Sequence, residues 1–208
     1  MKAVPARNGD PAARVGDGDL EGARELIETS HAIHERNEDP MQKTWRLSET
    51  TGTVGAIPRD AGDKESAHAL IAESAARARE AGVHWWEGGM LAELAALSLD
   101  AGRVEEAETR ARESLAISEQ LHDRPGEVFG VGLLALAAAE RGEAERGGRL
   151  WGAIEDESSG APLGGWRRHR DEFAGRVLAL ASPEFERGRA RGREWTLDDA
   201  VEYALSDA

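Results

Sequence analysis

The chain contains no cysteine. Disulfides and thiolate metal sites are therefore excluded, and a reducing, cytoplasmic setting is expected. Strand-forming material is scarce: 208 residues include one tyrosine and three phenylalanines, with few β-branched runs. Nowhere do about 18 apolar residues follow one another, so no membrane-spanning helix is expected. Residues 1–18 lack the apolar centre of a secretory signal. Basic residues are outnumbered, 26 to 40, which leaves a formal net charge of −14. A surface so negative repels phosphate backbones, so direct nucleic-acid contact is not expected. The phosphate-cradling pattern Gly-x-x-x-x-Gly-Lys-Ser/Thr is also missing.

What is abundant forms helices. Ala, Leu, Glu and Arg dominate, and these residues lose little side-chain freedom in a helix. Four glycines, Gly18, Gly62, Gly102 and Gly142, stand 44, 40 and 40 residues apart. Five positions after each comes a tiny residue: Ala23, Ala67, Ala107 and Gly147. Seven positions before the last three glycines stand Gly55, Ala95 and Ala135. A period in this range marks stacked repeats, each unit covering its neighbour's apolar face. Glycine just past a helix supplies the left-handed closing residue without a Cβ clash. One small residue on each arm of a hairpin lets two helix axes approach closely.

The apolar stripe of Leu20, Ala23, Ile27, Ser30 and Ile33 predicts a first helix from Asp19 that ends before Pro40. Further helices are expected over 41–57 (stopping before Pro58), 64–81, 84–100, 104–121, 127–141 and 143–157. A turn over 122–126 and a loop over 158–166 interrupt the series. In the tail a helix over 167–181 is expected. Ser182-Pro183-Glu184 then reads as N-cap, first-turn proline and acid, opening a helix to Gly192. Thr196-Leu197-Asp198-Asp199 is a capping-box variant that opens the last helix, through Leu205.

The order small residue, glycine turn, small residue, with Pro40 and Pro125 near unit ends, resembles the tetratricopeptide repeat (TPR). Ala101-Gly102-Arg103-Val104-Glu105-Glu106-Ala107 matches that pattern best. The unit of about 40 residues exceeds the usual 34 or so, which implies longer helices. The resemblance implies an all-α superhelix of hairpins over 19–157, with 1–18 a frayed or truncated start. A helical extension over 158–208 would pack on the array.

The tail carries a second resemblance. Leu150-Trp151-Gly152-Ala153, Gly160-Ala161-Pro162-Leu163, Phe185 and Gly192 through Val201 resemble the C-terminal region of large bacterial signalling and transcriptional regulators. Those proteins join an ATPase module, and often a LuxR-type helix-turn-helix, to a TPR-like region. The resemblance implies a sensory, oligomerisation or docking region. The first hairpin lacks its leading helix, so a chain that trails a longer ancestor is expected.

Candidate sites are few. His31 and His34 lie three apart beside Glu35 and Glu38, but the string is not His-Glu-x-x-His and reads as a solvated face; no metal or other cofactor is expected. Glu105-Glu106 and Asp198-Asp199 are adjacent pairs that suit helix starts, not converging catalytic carboxylates. Ser30, Ser74 and Ser114 recur at equivalent repeat positions, which argues for packing over nucleophilic chemistry. Arg187, Arg189, Arg191 and Arg193 form one basic string, diluted by Glu184, Glu186 and Glu194.

Trp85-Trp86 is the most informative pair. Consecutive helical residues point about 100° apart, so one tryptophan can enter the core while its neighbour faces a groove. Repeat alignment sets Glu49, Arg59, Leu99, Phe129 and Leu136 on the same inner face. These seven residues are the expected partner-binding groove of a non-catalytic module. Its occupant would be a protein partner, another domain of a larger regulator, or a second copy in a homodimer. A small-molecule-binding regulatory domain is the alternative. The packing logic predicts that Ala107→Leu crowds its hairpin and costs roughly 1–3 kcal/mol in urea unfolding.

Overall fold

A computed structural model describes residues 20–60, 62–156 and 165–206. The expectations for 1–18, and most of that for the loop over 158–166, lie outside the described residues. Within them are ten helices and no strand. Internal contacts group the chain into Met1–Trp86 and Glu87–Ala208.

The first unit holds α1 (Leu20–His34), α2 (Pro40–Asp60), α3 (Lys64–Glu80) and the start of α4 (His84–Asp100). Asp39 caps α2: its carboxylate accepts from the backbone N–H groups of Met41 and Gln42 at 2.9 and 3.1 Å. Helix α1 has already stopped at His34, and Pro40 begins α2, at the position where proline's missing N–H costs nothing. Helix α2 then runs past Pro58, against the expected stop before it. Pro58 lies in the last turn, so it forfeits one hydrogen bond near an end that has few left to make. Asp63 caps α3 by accepting from Ser66.

The second unit holds the rest of α4, then α5 (Val104–Leu121), α6 (Arg124–Glu140), α7 (Ala144–Ile154), α8 (Gly165–Ala179), α9 (Pro183–Gly192) and α10 (Leu197–Ser206). The expected 122–126 turn is shorter than anticipated, because Pro125 fits inside the first turn of α6. Glu127 through Ala139 of α6 are buried without interruption. A helix apolar on every side must be wrapped. Here α5, α7, α8 and α10 all pack on it.

One rule closes α2 through α6. Left-handed backbone occurs at Gly62, Gly82, Gly102, His122 and Gly142, one position in every 20 residues. At the last four, the left-handed residue's N–H reaches the carbonyl three residues back. The following N–H reaches five back, as in Val83 to Ala78 at 2.9 Å and Glu143 to Ala138 at 2.9 Å. These are Schellman endings. The 40-residue glycine period is therefore half of the pattern, with Gly82 and His122 at the intermediate helix ends. Among the described residues His122 is the one non-glycine with positive φ.

The small residues lie where helices touch. Ala67, Ala95, Ala107 and Ala135 are at most 1 % exposed. A Cβ built on Gly147 would stand 2.9 Å from the Ala135 carbonyl oxygen, so two positions paired from sequence are in contact. Repeat-equivalent hydroxyls tie helices together. Ser74 donates to the Ser48 carbonyl at 2.7 Å, and Ser114 donates to the Gly88 carbonyl at 2.8 Å.

The closest approach joins α7 and α9. Gly148 and Gly152 face the α9 backbone, and Gly188 and Gly192 face that of α7. An added Cβ would meet a carbonyl oxygen at 2.0–2.2 Å in all four cases. Contacts advance in the same direction along both helices, so they run parallel. This reciprocal Gly-x-x-x-Gly pair was not singled out in the sequence. Gly152→Ala should cost at least 1–3 kcal/mol, because backbone must shift to admit the methyl. Gly175→Ala, with nothing within 4 Å, should instead gain about 1 kcal/mol. Urea unfolding of the two variants checks the contrast.

Candidate docking surface

Three tryptophans of the first unit form one cluster. Trp45 comes from α2, and Trp85 and Trp86 from the first turn of α4. The ring centroids are 5.8 Å apart for Trp45 and Trp85, 6.0 Å for Trp45 and Trp86, and 5.4 Å for Trp85 and Trp86. All three pairs meet edge to face, the arrangement the ring quadrupoles favour. Trp86 is half-buried, and its indole N–H donates to Ser74 Oγ at 3.0 Å. That hydroxyl already donates to Ser48, so both of its roles are used. Trp85 turns outward and remains 55 % exposed.

Helix α2 extends the apolar surface. Met41 lies four residues before Trp45, on the same helical face, and is 59 % exposed. The Arg46 guanidinium carbon stands 5.9 Å from the Trp45 ring centre. Glu49, half-buried, accepts from Arg46 at 2.8 Å. The patch therefore consists of exposed methionine and indole bordered by an ion pair. Trp45 and Met41 were missed in the sequence. Their signal was there, an i, i+4 pair of large apolar residues on a helix otherwise poor in them.

The other residues assigned to a groove lie elsewhere. Leu99, Phe129 and Leu136 are 2, 5 and 0 % exposed and belong to the buried core of the second unit. This corrects the expectation that they line an open groove. Helix α6 is covered by the chain's own tail, so its inner face is core. Arg59 lies in α2, and its side chain is outside the described residues.

The remaining candidates resolve into structure. Ser30 Oγ and His34 Nε2 lie 3.1 Å apart, and no group that could hold a metal occurs among the described residues. Glu106 pairs with Arg103 and Arg110 at 2.6 and 2.7 Å. Asp199 accepts from the Thr196 N–H at 2.9 Å while its own N–H donates to Thr196 Oγ1, completing the capping box. The basic string is engaged by acids. Arg187 meets Glu184 at 3.1 Å, Arg191 meets Glu145 at 2.6 Å, and Arg189 and Arg193 both meet Glu155.

Comparison with solved structures agrees with this architecture. A putative kinesin light chain of Podosopora anserina, described as having nearly identical TPR-like repeats, superposes with a TM-score of 0.58. A single-substitution variant of that same protein superposes equally well. Each is 17 % identical, with 96 % of this chain and 93 % of that chain covered. The fold is TPR-like. At that identity the likeness concerns fold alone. No protein-family model matches the chain, and no curated protein does so either.

Within this TPR-like fold, charge pairing makes a stability statement. The Arg189 guanidinium, and then that of Arg193, hold the Glu155 carboxyl below its ordinary value of 4.5 against some desolvation. A lowered folded value means stabilisation that is present above the unfolded value and lost as pH falls through the folded one. Melting temperatures followed from about pH 6 to about pH 3 should therefore fall more for the wild type than for Glu155→Gln. The two curves should converge in acid, where both side chains are neutral.

Proposed function

We propose that this chain is a non-catalytic protein-interaction module and that Met41, Trp45 and Trp85 are its docking surface. One observation carries the reading: Trp85 stands half in solvent on top of a tryptophan cluster fixed from beneath by Ser74. Large apolar side chains gathered on a surface mark interaction sites, and tryptophan is prominent among residues that dominate binding energy. Trp86, Trp45 and the Ser74 hydrogen bond hold the exposed indole in place, so little freedom is lost on contact. TPR-like repeats are scaffolds for such contacts, which supports the same reading.

The finer assignment rests on the tail. Leu150-Trp151-Gly152-Ala153 and Gly192 through Val201 resemble the end of bacterial regulators with ATPase and LuxR-type modules. The proposed role is therefore docking within signal transduction, with another domain, a partner or a second copy as occupant. Gly152 and Gly192 sit in the α7–α9 contact. Part of that pattern is thus explained by packing.

Photo-crosslinking from position 85 identifies the partner, and titration then measures it. Met41→Ser with Trp85→Ser should weaken binding by roughly 2 kcal/mol, about thirty-fold in Kd, with helicity retained. Unchanged affinity would overturn the assignment. A metabolite held at about 100 times its Kd would add about 2.7 kcal/mol of stability. That shift, without any crosslinked protein, would favour a small-molecule-binding domain instead.

A further inference from the structure

Two serines between α2 and α3 are bonded to each other twice. Ser74 Oγ donates to the Ser48 carbonyl at 2.7 Å, and Ser48 Oγ donates to the Ser74 carbonyl at 2.9 Å. Both residues are 0 % exposed. A helical hydroxyl can instead turn back on the carbonyl four residues before it. Thr50 does so to Arg46 at 2.6 Å, and Ser98 to Leu94 at 2.9 Å. Ser74 is turned across the hairpin. Its one proton is committed to Ser48, so its oxygen can only accept further. The indole N–H of half-buried Trp86 donates to it at 3.0 Å.

The repeat supplies an internal comparison. At 40 residues beyond Ser48, Ser74 and Trp86 stand Gly88, Ser114 and Gly126. Ser114 again donates across to a carbonyl, that of Gly88, at 2.8 Å. The hydroxyl-to-carbonyl bond is therefore common to both hairpins and belongs to the stacking of the repeat. A Cβ built on Gly88 would stand 3.8 Å from the Ser114 carbonyl oxygen, so a second hydroxyl has its place there and is missing. The indole is missing too, with glycine at 126. Ser48 and Trp86 thus depart from the repeat together, and they do so where the tryptophan cluster sits. Trp86 in turn meets the rings of Trp45 at 6.0 Å and Trp85 at 5.4 Å. One chain of contacts runs from Ser48 through Ser74 and Trp86 to the exposed Trp85.

We propose that Ser48 and Ser74 are positioning residues of the docking surface, an inference that rests on reading Met41, Trp45 and Trp85 as that surface. Neither serine touches the partner. Ser48 holds the two helices at the spacing at which the Ser74 hydroxyl reaches across, in place of turning back on the Leu70 carbonyl of its own helix. The lone pair left on that hydroxyl then seats the Trp86 indole. Trp86 sets the edge-to-face stack that presents Trp85 to solvent. One turn further on, Arg77 donates to Thr51 at 3.1 Å, a second polar tie between α2 and α3 that neither serine supplies.

The full chain labelled with 15N-tryptophan shows one indole N–H resonance per ring, and Trp86→Phe identifies that of Trp86. In Ser74→Ala its exchange with solvent should quicken roughly ten-fold, and Ser74→Thr should restore it. Ser48→Ala keeps the acceptor itself and should quicken exchange about three-fold. Unmoved resonances of Trp151 and Trp195 show that each variant is folded. Wild-type exchange in both alanine variants would overturn the proposal. Should Ser74→Ala fail to fold, Ser48→Ala decides alone. Binding of the partner crosslinked from position 85 should weaken about three- to ten-fold in both alanine variants. If Met41→Ser with Trp85→Ser weakens binding and neither alanine variant does, the positioning role is refuted and the docking surface stands. If that double variant binds as the wild type does, the docking surface fails and this inference with it.

Discussion

Direct backbone contact between helices is the constraint on which this structure depends. Where Ala135 meets Gly147, and where Gly148, Gly152, Gly188 and Gly192 interlock, no side chain separates the two helices. Such contacts put main-chain atoms at van der Waals distance, and they tolerate almost no added volume. Large side chains then fill the spaces beside the contacts. Leu94, Leu115, Leu133, Leu134 and Leu150 are all fully buried in this way. The alanine content of the chain is thus a packing requirement as well as a helix preference.

Regular turns make those contacts repeat. A left-handed residue every 20 positions, followed at once by the next helix, fixes both helix length and relative phase. Small residues placed at constant offsets from the turns therefore arrive opposite one another. A histidine can stand at 122 because the same two hydrogen bonds close the helix there. An L-residue in that region costs about 1–2 kcal/mol, which surrounding packing must offset.

Polar groups follow the same geometry. Arg176 of α8 reaches the carboxyl ends of α4 and α6, where it meets Asp100 at 3.0 Å, Glu140 and the Leu99 carbonyl. A cation at two helix C-termini complements both dipoles and satisfies a closing carbonyl. Acidic residues outnumber basic ones, yet Arg176, Arg189, Arg191 and Arg193 of the tail are drawn into pairs with acids of other segments. Positive charge is used here for assembly of the fold. The exposed tryptophan of the first unit stands apart from this pattern. Trp85 contributes little to burial, and its neighbours fix its position.

Helical class, hairpin period, small contact positions and the caps at Ser182 and Thr196 are all legible in the sequence. Each is a local matter of propensity, turn chemistry or fixed offset, legible in one dimension. The sequence also marked Trp85 and Trp86 as a pair with divided roles. It did not reveal that Leu99, Phe129 and Leu136 are core. Whether an apolar helix face lines a groove depends on what lies over it, and the tail that covers α6 is distant in sequence. Nor did it show that Trp45 joins the pair from α2, or that two Gly-x-x-x-Gly segments 40 residues apart interlock. Only tertiary structure decides which faces meet, because burial is a property of the assembled chain and not of any single segment.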